Sequence, residues 1–526
     1  MASANPPQKT DKRLDKLLNG VEWLGNLLPH PVVLFLIFIG LLLLASALGA
    51  YFDVSAIDPR PEGAKGRAED GIIRVVSLLN GDGLAKMVEN LVKNFTGFAP
   101  LGSSLVALLG VGIAERSGLI AAAMRGVVLN APPRLITFAV VFAGVMSNLA
   151  AELGYVVIIP LAGMIFYSLG RHPLAGIAAA FAGVSGGYSA NLLIGTLDPI
   201  LSGITQQAAR LIAPDYTVGV EANWYFMAVS TFLIVFLGFI VTDKIVEPRL
   251  GKYDPQEGSA AEEGINIEQL TQAEKRGLKA ALFTVLALGV LLSLTVLPEN
   301  GVLRNPETGK IANSPFMHGI VAFIFVFFSA AGIAYGRVAG TMRTTDEIID
   351  GMTNSMRSMA LYLVLIFFVS QFIAYFSWSN LGPVMAVKGS EFLKNIGLTG
   401  GLLMIGFILI CAFINLMIGS ASAQWAVTAP IFVPMLMLVG YAPETIQAAY
   451  RIGDSVTNII SPLMSFFGLI LAVAIRYKRD TGVGTMVAMM LPYSVAFLAG
   501  WSVLFYLWVF VFGLPVGPGS PIYYTP

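Results

Sequence analysis

Seven stretches of about 20 apolar residues constrain the fold of this chain more than any other feature, because a helix needs about that length to cross a bilayer. In the bilayer, only helices and closed barrels can form hydrogen bonds with all of their backbone N–H and C=O groups. Only 12% of the residues are charged, against roughly 25% in a soluble domain. The pattern predicts an all-α polytopic membrane protein. The seven candidate spans are 32–52, 101–124, 223–243, 278–297, 316–336, 356–378 and 484–513.

Charge and cysteine content exclude several other classes of protein. The formal net charge is +0, which gives no case for a nucleic-acid partner. The single cysteine, Cys411, cannot form a disulfide within the chain. No phosphate-binding loop or zinc-protease motif occurs, so neither ATP-driven pumping nor zinc catalysis has support, and no resident cofactor is expected beyond a bound sodium ion.

Four regions are apolar but do not read as simple spans. Residues 134–170 and 400–440 each contain two apolar stretches joined through small and polar residues, which predicts re-entrant hairpins. Residues 173–197 and 443–475 are long enough to cross but contain Gly, Ser, Asn and Pro, which predicts broken helices. The total is about nine transmembrane helices and two re-entrant hairpins.

Most of the Lys and Arg residues fall on the segments that are cytoplasmic when the N-terminus is inside. The sequence therefore predicts a cytoplasmic N-terminus and a periplasmic C-terminus. A polar linker then divides the chain into halves of similar size. The predicted divisions are an N-terminal tail 1–31, a first half 32–245, a cytoplasmic linker 246–277, a second half 278–513 and a C-terminal tail 514–526.

The polar interruptions recur at matched spacing in the two halves. Asn148 in SNLAAELG and Asn191 in GVSGGYSAN are 43 positions apart, as are Asn415 in INLMIGSASAQ and Asn458 in RIGDSVTN. By the topology above, the first hairpin enters from inside and the second from outside. This is the pattern of an inverted repeat, whose broken helices meet at a substrate and ion site near the midplane of the bilayer.

The four asparagines are therefore candidate ion ligands, and Asn148 and Asn415 are the candidate sodium positions, because amide and freed backbone carbonyl oxygens bind such cations. The alternative is that small and polar residues only hold helices together. The matched spacing in both halves favours the binding site.

Charged and aromatic residues near these interruptions leave alternatives open. Arg451 and Asp454 lie on one helical face, so they can pair with each other. Alternatively, Arg451 meets an anionic group, and Asp454 then orients Arg451, binds a cation or carries a proton. Asp198, at the end of the first broken span, is a capped terminus or a coupling residue. Trp425 serves packing or aromatic stacking. Glu152 is an ion ligand or a packing residue.

Some features of the sequence also occur in intramembrane serine proteases and in channels. GVSG at 183–186 matches an intramembrane serine protease motif, but His30, His172 and His318 all lie far from it along the predicted topology. A channel also uses re-entrant hairpins, but usually from a symmetric filter sequence. Both are weaker interpretations than a transporter, and no enzyme activity is expected.

The motifs also resemble a known family. SNLAAELGYVVIIPL, INLMIGSASAQWAVTAPIFVPML and AAYRIGDSVTNIISPLMSFFG are similar to the p-aminobenzoyl-glutamate transporter (AbgT) family, and the likeness runs from VEWLGNLLPHP to LPVGPG. Within it, the chain most resembles bacterial exporters of sulfonamide antimetabolites.

The resemblance implies a homodimer in the bacterial inner membrane that works by an elevator motion. Its members import p-aminobenzoyl-glutamate or export sulfonamides, driven by a proton or sodium gradient. A sodium-coupled dicarboxylate symporter is the runner-up, disfavoured because Trp425 suits an aromatic substrate. The family's functional positions match Asp198, Asn415, Ser422, Trp425, Pro443, Arg451, Asp454 and Pro462.

The resemblance also implies roles for these positions. Arg451 holds a carboxylate or sulfonyl oxygen, Trp425 stacks on the aminobenzoyl ring and Asn415 contributes to cation coordination. Asp198 and Asp454 carry the coupling, and with Ser422 they complete the predicted substrate site. Pro443 and Pro462 keep the last broken helix discontinuous.

Overall fold

The computed structural model describes residues 29–62, 67–150, 153–258, 269–311 and 314–525, and the structural statements below concern these ranges. Glu152 lies outside them. So do residues 1–28 of the predicted N-terminal tail and residues 259–268 of the predicted linker.

The first half of the chain is helical apart from one short β-hairpin. Its elements are α1 (Pro31–Tyr51), β1 (Ser55–Ile57), β2 (Ile72–Arg74), α2 (Gly81–Thr96), α3 (Ala99–Arg116), α4 (Leu119–Leu129), α5 (Ile136–Ser147), α6 (Ile159–Ser168), α7 (Pro173–Phe181), α8 (Asp198–Ala209), α9 (Trp224–Val241) and α10 (Glu247–Leu250). The strands pair antiparallel, with Ala56 opposite Ile73. Wider π turns extend or precede three helices, at Gly154–Ile158, Ala182–Gly186 and Thr242–Val246.

The second half is helical throughout its regular structure. Its elements are α11 (Gln272–Val296), α12 (Pro315–His318), α13 (Ile320–Ala339), α14 (Thr345–Ser358), α15 (Ala360–Trp378), α16 (Leu381–Asn395), α17 (Gly401–Asn415), α18 (Ala421–Val439), α19 (Pro443–Val456), α20 (Phe467–Tyr477) and α21 (Val483–Tyr506). Single tight turns follow α5 at Asn148–Ala150 and α19 at Asn458–Ile460.

Within the described ranges, eight helices or continuous helix pairs are long and apolar enough to cross a membrane, and nine if the bent pair Leu119–Leu129 and Pro133–Ser147 counts as one span. The all-α, multi-span prediction is confirmed. One predicted boundary is wrong: the span placed at 101–124 ends at Arg116. Gly118 has a φ of 85°, a left-handed conformation that ends α3 and turns the chain into α4.

The same arrangement of helices occurs twice in the structure, once in each half of the chain. In the first half α5 ends at a polar tip and α6 follows, then α7 ends at a break and α8 follows. In the second half α17, α18, α19 and α20 occur in the same order. The sequence interpretation missed α8, because it took Asp198 as the end of a broken span. Asp198 instead starts α8, with Pro199 in the first turn, where a proline costs no hydrogen bond.

Helices α3, α11, α13 and α14 pack closely through glycines. A Cβ atom on Gly332 would lie 2.7 Å from the Cα atom of Ala114, and one on Gly110 would lie 2.6 Å from the backbone of Phe325. These glycines let α3 and α13 approach more closely than larger residues would allow. The tips and broken helices belong to the main hydrophobic core of the protein.

The C-terminal tail is bonded to the start of α9 and to the turn before α19. The backbone N–H of Phe226 donates to Val516 O at 3.0 Å, and that of Ala442 donates to Ile522 O at 3.0 Å. The N–H of Tyr524 donates to Gly440 O at 2.9 Å. The tail therefore covers the end of the molecule where α18 ends and α19 begins.

Candidate functional site

Helix α19 is polar and yet every one of its residues, Pro443–Val456, is buried. Pro443 occupies the first turn and so starts this helix; the chain is non-helical around Pro462, in the break before α20. The prediction that Pro443 interrupts a helix is therefore wrong in detail. A buried polar helix is stable only if its side chains find partners, and those partners define the site.

The buried arginine of α19 pairs with the other half of the chain. Arg451 Nη1 lies 2.5 Å from Asp198 Oδ1, and Arg451 Nη2 donates to Ser189 O at 3.3 Å. The side chains of Arg451 and Asp198 are 4% and 12% exposed. The backbone N–H of Gly195 donates to Asp198 Oδ2 at 2.6 Å. The alternative of an Arg451–Asp454 ion pair is therefore not what the structure contains: the pair joins the two repeats.

Asp454 lies on the same helix with few partners of its own. It is 0% exposed, and its Oδ1 lies 3.4 Å from the Tyr450 hydroxyl oxygen, whose single hydrogen is directed to the closer Ala421 O at 2.6 Å. Oδ2 has no hydrogen-bond partner among the described residues. A fully buried carboxyl group in this position is satisfied by a proton or by a cation.

Asn415, at the end of α17, faces three oxygen atoms. Its Nδ2 donates to Asp454 O at 2.5 Å, to Asn458 Oδ1 at 2.8 Å and to Thr457 Oγ1 at 3.0 Å. Its own Oδ1 is buried and has no partner within the described part of the chain. The structure thus brings together Asn415 and Asn458, which the sequence places 43 positions apart.

The first repeat holds the corresponding asparagines differently. Asn191 Oδ1 accepts from the N–H of Leu193 at 3.2 Å, and its Nδ2 donates to Val145 O at 3.4 Å. Both amide atoms of Asn148 are buried without a hydrogen-bond partner in the described residues. The two repeats meet where Asn458 Nδ2 donates to Ser185 O at 3.5 Å.

Trp425 is 0% exposed, and one face of its indole ring is stacked on Tyr450 at 4.2 Å. Its Nε1–H donates to Thr205 Oγ1 at 2.8 Å. The Tyr450 hydroxyl donates to Ala421 O at 2.6 Å, so both rings tie the second tip to α19. In this conformation Trp425 is a packed core residue, and it does not line the large cavity beside the tips.

That cavity has a volume of about 470 Å³ and lies between the two tips and helices α3 and α14. The rings of Tyr155 and Phe466, one from each repeat, are stacked 4.5 Å apart in its wall. Of the predicted site residues, only Ser422 and Asn458 line it. Its other polar lining comes from Glu115, Arg116, Tyr188, Thr196, Asn354, Ser355, Ser358, Tyr362, Ser420 and Ser465.

A second cavity of about 10 Å³, large enough for about one water molecule, lies against Asp198 and Arg451. Asn191 and Trp224 also line it. The ion pair and the large cavity are therefore separate features. The sequence identified both residues of the ion pair but missed the aromatic wall of the large cavity. Tyr155 and Phe466 carry no signal in the sequence beyond their position near the two polar breaks.

The protease interpretation has no support from the geometry. The hydroxyl of Ser185, in GVSG, accepts a hydrogen bond from the Tyr155 hydroxyl at 3.2 Å. His172 lies at the opposite end of the same helical segment, in the turn before α7.

Comparison with known proteins gives a consistent result. The AbgT putative transporter family matches residues 16–524. The p-aminobenzoyl-glutamate transport protein of Escherichia coli (strain K12) is 39% identical over 505 residues, which cover 96% of each chain. These relatives are transporters and not enzymes.

Two solved structures are also similar. Neisseria gonorrhoeae MtrF, described as illuminating a class of antimetabolite efflux pumps, is 63% identical with a TM-score of 0.91, over 96% of this chain and 100% of that one. The Alcanivorax borkumensis YdaH transporter is 46% identical with a TM-score of 0.86, over 93% of this chain and 100% of that one. By both sequence and fold, the chain belongs to the AbgT putative transporter family.

Proposed function

We propose that this protein is a secondary active transporter that moves p-aminobenzoyl-glutamate and exports sulfonamide antimetabolites across the bacterial inner membrane. The observation that carries the proposal is the cavity of about 470 Å³ at the meeting point of the two tips. Its size falls within the usual range for small-molecule sites. The names of the relatives in Escherichia coli and Neisseria gonorrhoeae support the substrate class.

The cavity wall suits an aromatic ring attached to a polar group. Tyr155 and Phe466 offer aromatic surface, while Ser420 and Ser422 offer hydroxyl groups for a carboxylate or sulfonyl oxygen. In this proposal the ring of the substrate contacts Tyr155 and Phe466, and Trp425 acts by holding the second tip. Arg451 and Asp198 lock the two repeats together behind the cavity.

Gradient coupling is assigned to the Asn415 cluster and to Asp454. Rotation of the Asn415 amide by half a turn would place its Oδ1 beside the oxygens of Asp454, Thr457 and Asn458, a set of oxygen ligands of the kind that sodium takes in broken-helix transporters. Asn148, whose amide is buried without a partner, is the equivalent position in the first repeat. Protonation of Asp454 is the alternative route to coupling.

Counterflow in proteoliposomes tests the transport function. Labelled p-aminobenzoyl-glutamate or a labelled sulfonamide is exchanged with no gradient, and sodium and pH gradients are then imposed separately. Ser422→Ala is expected to weaken exchange, and Ser103→Ala, on α3 outside the cavity lining, serves as the matched control. Absence of exchange for both substrates in the unaltered protein would refute the proposal, and competition by succinate instead would favour the dicarboxylate symporter.

We further propose a cytoplasmic N-terminus, a periplasmic C-terminus, a homodimer and an elevator motion of the tips and broken helices against α3, α11, α13 and α14. The buried position of Cys411, the single cysteine of the chain, makes the topology testable. Single cysteines introduced at exposed positions, Lys252→Cys in the loop after α10 and Glu391→Cys on α16, are expected to react with an impermeant maleimide from opposite sides of the membrane. Labelling of both from the same side would contradict the topology.

A further inference from the structure

Two buried carboxyl groups lie near the start of α19, away from the cavity and from the Asn415 cluster. Glu444 is 4% exposed and Glu221, in the loop before α9, is 7% exposed. The Tyr216 hydroxyl lies 2.9 Å from Glu444 Oε2 and 3.2 Å from Oε1. Glu221 Oε2 has no hydrogen-bond partner among the described residues. The two residues lie on segments in direct contact, because Asn223, two positions after Glu221, donates its amide to Glu444 O at 2.8 Å.

The groups around this pair do not neutralise it. Burial is the largest influence on Glu221 and raises its pKa above the ordinary value. Its own backbone amide and His318 lower the pKa by less than burial raises it. Within the described part of the chain, no arginine or lysine forms an ion pair with either carboxyl group. The other titratable groups facing the pair are Tyr216, the ring of Tyr524 packed on Tyr216, and Arg210, which donates to Tyr216 O at 3.0 Å.

Two buried carboxyl groups on contacting segments, neither paired with a cation, cannot both be ionised at low cost, because burial leaves both unsolvated and like charges repel each other. The favourable arrangement holds one proton on the pair, as in other carboxyl dyads. The unpartnered Oε2 of Glu221 is where the structure leaves room for that proton.

A chain of buried side chains runs from the backbone carbonyl of Glu444 to Thr205, which holds the indole of Trp425. The Asn223 amide donates to Glu444 O at 2.8 Å, and the Gln447 amide donates to Asn223 Oδ1 at 2.7 Å. Gln447 Oε1 lies 2.6 Å from Thr205 Oγ1, the same atom that accepts from Trp425. Gln447 also precedes Arg451 by about one turn of α19.

We propose that Glu444 and Glu221 form a proton-binding site of the transport cycle, loaded from the face of the membrane that the C-terminal tail covers. The inference rests on the proposed transport function and adds a proton site that is distinct from Asp454 and from the Asn415 cluster. The step is the addition of one proton to a carboxylate oxygen of the pair, with no other bond formed or broken. Loading removes one buried charge at the start of α19; the hydrogen-bonded chain joins this end of the helix to Trp425, and α19 itself carries Arg451 two turns further along.

The test separates exchange from gradient-driven transport. Purified unaltered protein, Glu444→Gln, Glu221→Gln, Glu444→Asp and the exposed control Glu391→Gln are reconstituted into vesicles. Counterflow is measured without a gradient between pH 5 and 8, and net transport is then measured under a pH gradient and under a sodium gradient.

In Glu444→Gln and Glu221→Gln, stimulation by the pH gradient is expected to fall about fivefold or more, the lower bound of a typical coupling free energy. The pH profile of counterflow should flatten while exchange remains measurable. Glu444→Asp, which keeps a carboxyl group, should recover part of the stimulation, and Glu391→Gln should match the unaltered protein.

Three results would overturn the inference. The first is full pH-gradient stimulation with an unchanged pH profile in both glutamine variants. The second is loss of counterflow in both variants together with no recovery in Glu444→Asp, which would make the role structural. The third is an unaltered protein driven by sodium alone, which leaves the transport function intact and removes the proton site. Absence of counterflow in the unaltered protein would instead refute the transport function itself.

Discussion

The losses of stability from removing Arg451 and Asp198 one at a time should not add when both are removed, because each charge of this buried pair compensates the other. Arg451 Nη1 and Asp198 Oδ1 lie 2.5 Å apart, and the side chains of Arg451 and Asp198 are only 4% and 12% exposed. Arg451→Met therefore leaves the Asp198 charge buried with one remaining donor, the Gly195 amide. Breaking such a pair from one side costs about 3–5 kcal/mol. Asp198→Asn leaves the Arg451 charge with Ser189 O and a neutral amide.

The double variant Asp198→Asn/Arg451→Met removes both charges together. Its loss should therefore be smaller than the sum of the two single losses, by about 2 kcal/mol. Denaturation of the detergent-solubilised protein, followed by tryptophan fluorescence, measures the four free energies of unfolding of this cycle.

The exposed pair Arg74–Asp70 is the matched control. Its atoms are also 2.5 Å apart, but both side chains are 47% exposed, so solvent screens the interaction and no measurable coupling is expected. If the coupling between Arg451 and Asp198 is no larger than in this control, the conclusion that a buried pair locks the two repeats is wrong.

Three further results are expected. Asn415→Ala removes the amide that faces three buried oxygens, which should cost about 1–3 kcal/mol of stability for each oxygen that water does not reach. If the unaltered protein melts at a higher temperature in NaCl than in KCl, this variant should lose the difference. A difference that survives in the variant would exclude this cluster as the sodium site. Trp425→Phe keeps the ring on Tyr450 and loses the bond to Thr205, so stability should fall by about 1 kcal/mol with an unchanged apparent KM, whereas a large rise in KM would show contact with substrate. His172, in the turn before α7, packs on Tyr253, and burial followed by the charge of Lys478 lowers its pKa to about 4 from 6.5. The unfolded chain therefore binds a proton there before the folded protein does, so stability should be full above about pH 6.5 and fall as the pH drops toward 4; melting curves across this range should show a smaller fall in His172→Gln.

The sequence predicted the features that depend on local pattern and repetition. Apolar runs predicted the spans, and the matched spacing of Asn415 and Asn458 predicted a cluster that the structure contains. Helical periodicity placed Arg451 and Asp454 on one face, but it carries no information about which distant residue lies opposite that face. The partnership of Arg451 with Asp198 is therefore visible only in the tertiary structure.

The same limit applies to Trp425 and to the carboxyl pair. The sequence left packing and aromatic stacking open for Trp425, and in the structure Tyr450, 25 positions later in the chain, is stacked on one face of its ring. Glu444 and Glu221 lie in different halves of the chain and share no motif, so nothing in the sequence brings them together. Buried polar networks of this kind are fixed by long-range packing.

The attachment of residues 514–525 to the beginnings of α9 and α19 has a practical consequence. Because backbone hydrogen bonds at Phe226, Ala442 and Tyr524 hold this segment to the beginnings of α9 and α19, a fluorophore placed near Tyr524 would report on the position of these helices. Paired with a second dye on α11, it would test the proposed elevator motion by recording the distance between the two dyes during transport. An affinity tag joined there should follow the intact terminus through a spacer, since a shortened terminus would leave the Phe226 and Ala442 amides without acceptors and Gly440 O without its donor.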